Sequence, residues 1–175
     1  QEAAATNDLI LSTAGVSVGE EDHVRPAVEH LGELSLWKIS MKPGKPFAFG
    51  KIFREGSSLD HSSAFFMGLP GNPVSSFVTF LMLVRPFVLR LQGVENVAPR
   101  VLHATANFSS KKPDTRREFL RVRQNEAGAL ELFSNQSSGV LTSAVWGDGL
   151  GDNPAMTTIH PGDVVRYIPL AELLQ

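Results

Sequence analysis

Ala64-Phe65-Phe66-Met67-Gly68-Leu69-Pro70-Gly71-Asn72-Pro73-Val74-Ser75-Ser76 is the stretch that decides the fold. Its first six residues are apolar or glycine, the pattern of a strand buried on both faces. Pro70 and Gly71 turn the chain. Asn72 is expected as a helix N-cap and Pro73 at the first helical position, where its missing N–H costs nothing. The helix should run to about Gln92 as a buried element, because Arg85, Pro86 and Arg90 interrupt its apolar run. The same grammar occurs once upstream. Asp8 to Thr13 is a short apolar run expected as a central parallel strand, and Ala14-Gly15-Val16-Ser17-Val18-Gly19 breaks it. From Glu20 a helix is expected, with Val24, Ala27, Val28 and Leu31 at helical spacing and Gly32 as its end. Strand, glycine turn and helix, twice over, describe a doubly wound α/β sheet.

The remaining elements follow from these two. Leu34 to Ile39 and the alternating Phe47 to Phe53 read as strands, joined to Ala64 by a polar, hairpin-like stretch from Arg54 to Ser63. Gln1 to Asn7 reads as a frayed lead-in. Trp37 and the phenylalanines 77, 80 and 87 are expected in the core. After Gly93 the pattern changes to short strands only: Arg100–Ala106, Glu118–Gln124, Leu130–Ser134 and Val164–Ile168. Turn signals at 107–114, 125–128, 147–153 and 161–163 separate them, and 140–146 fits neither pattern. The expected fold class is therefore α/β followed by all-β: a partial doubly wound domain over 1–95 and a small β unit over 99–175.

With 175 residues, 42% of them hydrophobic and 19% charged, the chain has the composition of an ordinary globular protein. It has no cysteine, which excludes disulfides and thiolate chemistry. A net charge of −2 argues against general nucleic-acid binding. Charge is unevenly spread, however. Between Arg85 and Arg123 nine basic residues face three acidic ones, which suits an anionic ligand.

In an open α/β sheet, ligands bind beyond the carboxyl ends of the strands. Three loops, 14–22, 40–46 and 68–76, leave such ends and should converge. The first is glycine-rich, and amides at the start of its helix can receive an anion. Its Glu20, Glu21 and Asp22 would repel a bare phosphate, so a divalent cation between carboxylate and anion makes better sense there. The second, Met41-Lys42-Pro43-Gly44-Lys45-Pro46, holds two ammonium groups on a proline-stiffened turn. The third puts Ser75 and Ser76 in the first turn of a helix. Each also has a plain structural reading as a solvated turn or a well-capped helix. In the β unit, Arg116, Arg121 and the polar Asn135–Gly139 loop could lean over the cleft or simply face solvent. The five histidines lack metal-ligand spacing, and the serines lack the partners of a hydrolase.

Three motifs carry a resemblance: Gly-Val-Ser-Val-Gly-Glu-Glu-Asp at 15–22, Lys-Pro-Gly-Lys-Pro-Phe-Ala-Phe-Gly at 42–50 and Gly-Leu-Pro-Gly-Asn-Pro-Val-Ser at 68–75. In order and spacing they resemble the MoeA family of molybdopterin molybdotransferases, whose eukaryotic counterpart is the E domain of gephyrin. The resemblance implies a molybdopterin-binding α/β domain followed by a C-terminal β-barrel. It also implies a longer, homodimeric, cytoplasmic protein that inserts molybdate into adenylylated molybdopterin and releases AMP, with a divalent cation such as Mg2+. Neither nucleic acid nor membrane is an implied partner. Two N-terminal domains and an acidic Gly-Asp-Glu type motif would lie upstream, so a C-terminal fragment, inactive alone, is expected. By resemblance Asp22 would stand at the metal and the pterin pyrophosphate. Lys38, Lys42 and Lys45 would form a cationic wall for phosphate or molybdate. Gly15, Ser17, Gly19 and Ser75 would hold the cofactor precursor, with Arg116 or Arg121 and Ser137 or Ser138 approaching from the barrel. Ala14 replaces a glycine usual in the family and is expected to keep a negative φ. A non-catalytic, gephyrin-like scaffold and a bare molybdopterin-binding module are the alternatives.

Overall fold

The computed structural model describes residues 1–16, 23–54 and 62–174. Ser17, Gly19 and Asp22, three of the expected site residues, lie outside them. The first sheet has the order β1 (Leu9–Thr13), β5 (Ser63–Leu69), β4 (Ala48–Phe53) and β2 (Gly32–Trp37). β1 pairs parallel with β5, while β4 runs antiparallel to both β5 and β2. β1, β2 and β5 therefore point the same way and release their following loops at one edge.

Helices cover both faces. On one, α1 (Glu2–Thr6) and α2 (Val24–Leu31) enclose Ala4, Val16, Val28, Ala48, Ile52, Ala64 and Phe66. On the other, a helix from Pro73 to Leu91 buries Val84 against Phe47, Met67 and Leu69. That helix is long and apolar enough by composition to cross a membrane. Here its Val74, Val78 and Leu81 are buried against the second sheet. Each fully buried aliphatic side chain of this kind contributes about 1.5–3 kcal/mol. The helix is one element with three parts: α3 (Pro73–Thr79), a π turn (Phe80–Val84) and α4 (Arg85–Leu91). The wider turn precedes Pro86, which offers no N–H to the carbonyl one α-helical turn earlier.

The second sheet runs β3 (Met41–Lys42), β7 (Arg117–Gln124), β9 (Gly149–Asn153), β10 (Val164–Pro169) and β6 (Leu102–Thr105), with β8 (Leu130–Leu132) on β7. α5 (Thr142–Trp146) and α6 (Leu170–Leu173) complete it. Its own core holds Phe108, Leu120, Val122, Leu130, Val165 and Tyr167. β3 belongs to the lysine loop, yet it pairs parallel with β7 in register Met41 to Arg117 and Lys42 to Glu118. Met41 also enters the core formed with Val74, Val78 and Phe119. The loop is thus built into both sheets.

Several expectations need correction. Gln1–Asn7 is not frayed: α1 is anchored by Arg54, which donates to the carbonyls of Ala4 at 2.7 Å and Asn7 at 3.1 Å. Among the described residues β1 has one strand neighbour, β5, and Leu11 is 43% exposed. Its short apolar run reads the same whether one or two neighbours cover it. Residues 149–153, read as a turn, form the central strand β9. Its glycines are there for close packing, because a Cβ at Gly149 would collide with the Tyr167 ring and one at Gly151 would crowd Val122. Phe80, expected in the core, is 40% exposed on the π turn. Residues 142–146 of the undecided 140–146 stretch are helical. The expected barrel is not closed among the described residues: β3 and β6 end the sheet, and the Ala106–Leu130 bridge alone links the end of β6 to β8.

Candidate functional site

All three loops meet as their strand directions require. Ala14, Gly15 and Val16 after β1, Pro46 from the lysine loop, and Pro70, Gly71, Asn72 and Ser75 after β5 line one cavity of about 260 Å³. Gly15 takes φ 74°, the left-handed region. Ala14, expected at negative φ, takes 67°. Ala14 N–H donates to the Leu69 carbonyl at 3.1 Å, which fixes the turn at the end of the β1–β5 pair. Ser75 sits in the first turn of α3 with 5% of its surface exposed. Asn72 does not cap the helix with its side chain. Its Nδ2 donates instead to Ser138 Oγ at 3.1 Å, and the Ser138 carbonyl accepts the N–H of Val74 at 3.0 Å. The β unit thus docks on the start of α3 through Ser138, while Ser137 stays exposed.

On the other side of Pro46 lies a larger open cavity of about 680 Å³, lined by Lys38, Ile39, Ser40 and Lys45 of one unit and Pro113, Asp114, Thr115 and Arg116 of the other. Lys38 takes φ 79°, with its N–H donating to Phe47 at 2.8 Å, and the Lys45 carbonyl accepts the N–H of Ile39 at 3.0 Å. These two bonds fold the segment back on itself and turn both lysines to the cavity. Gly44, at φ 120°, lets the turn close over the helix, for a Cβ there would collide with the Thr79 hydroxyl.

Lys42 is placed differently. Its Nζ lies 2.8 Å from Glu118 and 3.1 Å from Asp114, and it lines neither cavity. The Glu118 hydrogen bond raises its pKa above the usual lysine value. Glu118 is itself buried and accepts from Asn153 Nδ2 at 3.3 Å. Lys42 therefore ties the lysine loop to the β unit. Asp114, not anticipated as a site residue, binds Arg116 through both carboxylate oxygens, at 2.9 and 3.0 Å, and accepts the Arg116 N–H at 3.0 Å. That guanidinium holds the Asp114 carboxyl well below the usual carboxylate range. The sequence signal was available in Asp-Thr-Arg, since aspartate commonly accepts a backbone N–H two residues on.

Arg121 lines neither cavity either. It is 2% exposed and donates to Ser143 Oγ at 3.1 Å and to the carbonyls of Phe119 and Ser137 at 3.3 and 3.5 Å. Burial lowers its pKa to about 10. Beside it the Gln136 amide accepts Arg121 N–H and donates to its carbonyl, each at 3.0 Å. Arg121 and Gln136 together hold the base of the loop whose tip, Ser138, touches α3. Of the paired expectations, Arg116 lines the larger cavity and Ser138 reaches the helix start.

A family model described as the probable molybdopterin binding domain matches residues 1–90, more than half of the chain. A second, the MoeA C-terminal region (domain IV), matches 103–170. The chain belongs to the MoeA family. It is 42% identical over 135 residues to a molybdopterin molybdenumtransferase of Haemophilus influenzae, covering 75% of this chain and 31% of that protein. The molybdenum cofactor synthesis protein cinnamon of Drosophila melanogaster is 32% identical over 175 residues, 91% of this chain and 28% of that one. The crystal structure of a molybdopterin biosynthesis MoeA protein from Pyrococcus horikosii superposes with a TM-score of 0.73 at 27% identity, over 96% of this chain and 38% of that one. The chain thus matches about a third of the length of these MoeA-family relatives.

Proposed function

We propose that this chain forms the oxyanion-binding part of a molybdopterin molybdotransferase, which inserts molybdate into adenylylated molybdopterin and releases AMP. The observation that carries the reading is the larger cavity, where Lys38 and Lys45 of one unit meet Arg116 of the other. Molybdate is a tetrahedral dianion and the precursor bears a pyrophosphate. Both need fixed cations in a site that exchanges their hydration for directed donors. The smaller cavity, with the Gly15 turn and Ser75 at the start of a helix, suits a second anionic group of the same ligand. Catalysis by these residues is positioning and neutralisation, with no covalent nucleophile. Among the described residues no group of three His, Asp or Glu side chains could hold a metal. Asp22, the residue that the resemblance implies for the divalent cation, lies outside them. On the resemblance alone we extend the reading to a cytoplasmic homodimer.

Lys38→Ala combined with Lys45→Ala in the full-length enzyme should lower molybdate-dependent AMP release by at least about 100-fold, as loss of two transition-state donors does. Full complementation of a strain lacking the enzyme by this double variant would refute the assignment.

A further inference from the structure

Asp114 is a carboxylate on the wall of a cavity whose other charged lining residues are cations. Its two oxygens occupy the Nε and Nη2 of Arg116, and Oδ1 also takes the Arg116 N–H. These are the donors a planar guanidinium offers to a phosphate or a tetrahedral oxyanion. The residue is tethered rather than loose, because its carbonyl accepts the Met156 N–H at 2.7 Å. The side chain can nevertheless leave Arg116 without losing every partner, since Lys42 Nζ lies 3.1 Å from Oδ2.

We propose that Asp114 is an internal competitor that stands in for the oxyanion on the Arg116 fork, and so decides which anions the cavity admits. This rests on the reading of that cavity as an oxyanion site. An entering anion must offer the guanidinium two oxygens to replace those of Asp114. A tetrahedral oxyanion or a phosphate does so, and a halide does not. When the anion enters, Asp114 turns to Lys42, which already neutralises Glu118, and Arg116 is released to the ligand. The carboxylate thus raises the threshold for entry while it keeps the guanidinium fixed between turnovers.

The test is a calorimetric titration of the full chain with molybdate at low ionic strength, with chloride as the control ion. Asp114→Asn removes the competing charge and is expected to tighten molybdate binding roughly tenfold and to leave chloride binding undetected. In an Arg116→Ala or Arg116→Lys background the same substitution should change affinity less than about threefold, the residue of a general field effect. A purely structural role for Asp114 predicts weaker binding in Asp114→Asn, and that result overturns the proposal. So does an equal gain in the presence and absence of Arg116. If the unaltered chain binds molybdate but Asp114→Asn gains nothing, the competitor is refuted and the oxyanion site stands. If no variant binds molybdate, both fall.

Discussion

Two aspartate–arginine clusters lie a few residues apart on β7 and its approach, and they are built from the same chemistry to different ends. Asp152 sits in the central strand β9 with its side chain 1% exposed. Arg117 clasps both its oxygens at 2.6 Å, and Arg166 adds a third contact at 3.0 Å. Each arginine comes from a strand that pairs with β9, so the sheet register itself delivers them. Asp114, 17% exposed, sits on an irregular segment at the mouth of a cavity. Asp152 and Arg166 also line a cavity, of about 390 Å³, but arginines from two strands saturate this almost fully buried carboxylate and fix it in the sheet. Asp114 is more exposed and sits on one irregular segment, so a ligand can take its place on the guanidinium beside it. Arg116 and Arg117 are neighbours in the chain, but only Arg117 belongs to β7, and Arg116 precedes it on the irregular approach.

The largest effect expected from this contrast falls on stability. Asp152→Ala removes three charge-assisted contacts to a buried group and should cost about 3 kcal/mol. Urea unfolding reads this directly, and molybdate affinity measured on the folded fraction should not change. A shift in affinity of more than threefold would show that the two clusters are one system.

A smaller, pH-dependent effect belongs to Asp114. Its folded pKa lies below the ordinary value of 3.8, chiefly because of Arg116. A depressed carboxylate stabilises the fold above its unfolded value, and the contribution is lost as pH falls through the folded value. Asp114→Asn should therefore cost about 1 kcal/mol at pH 7, with the difference from the unaltered chain shrinking below about pH 4. A difference constant from pH 7 to pH 3 would mean that the Arg116 pairing contributes nothing to folding. Together with tighter molybdate binding, lower stability in one variant would separate holding the site from occupying it.

The two regions also differ in how far the sequence discloses them. The α/β half was legible because its strands are short apolar or alternating runs set off by glycine and proline turns, signals that are local in origin. The convergence of the loops at 14–16, 46 and 70–75 then followed from strand direction. The β half was less legible because its centre is held by contacts distant in sequence. Gly149 and Gly151 read as turn formers, yet they are glycines because the Tyr167 ring and Val122 leave no room for a Cβ. Arg121 reads as a cation for the cleft or for solvent, yet it is buried on Ser137 of a loop 16 residues away and on Ser143 of α5, 22 residues away. Lys42 and Lys45 look equivalent in Lys-Pro-Gly-Lys. They separate only because Lys42 falls on a two-residue strand that pairs with β7. No local pattern announces that pairing.

The smallest expected effect tests whether backbone strain at the cleft serves the ligand. Lys38 and Ala14 both hold positive φ, 79° and 67°, one on each cavity. A side chain in that region costs about 1 kcal/mol, and glycine relieves it, although a glycine also gains freedom in the unfolded chain. Lys38→Gly and Ala14→Gly should therefore each stabilise the fold by no more than about 1 kcal/mol. Only Lys38→Gly removes a cation from the larger cavity, so molybdate affinity should fall roughly tenfold there and stay level at Ala14. The strained lysine would then be kept for its charge at a small loss of stability. If both variants gain stability and neither loses affinity, the left-handed turn at Lys38 serves the bend between β2 and the lysine loop, and Lys45 with Arg116 carries the anion alone.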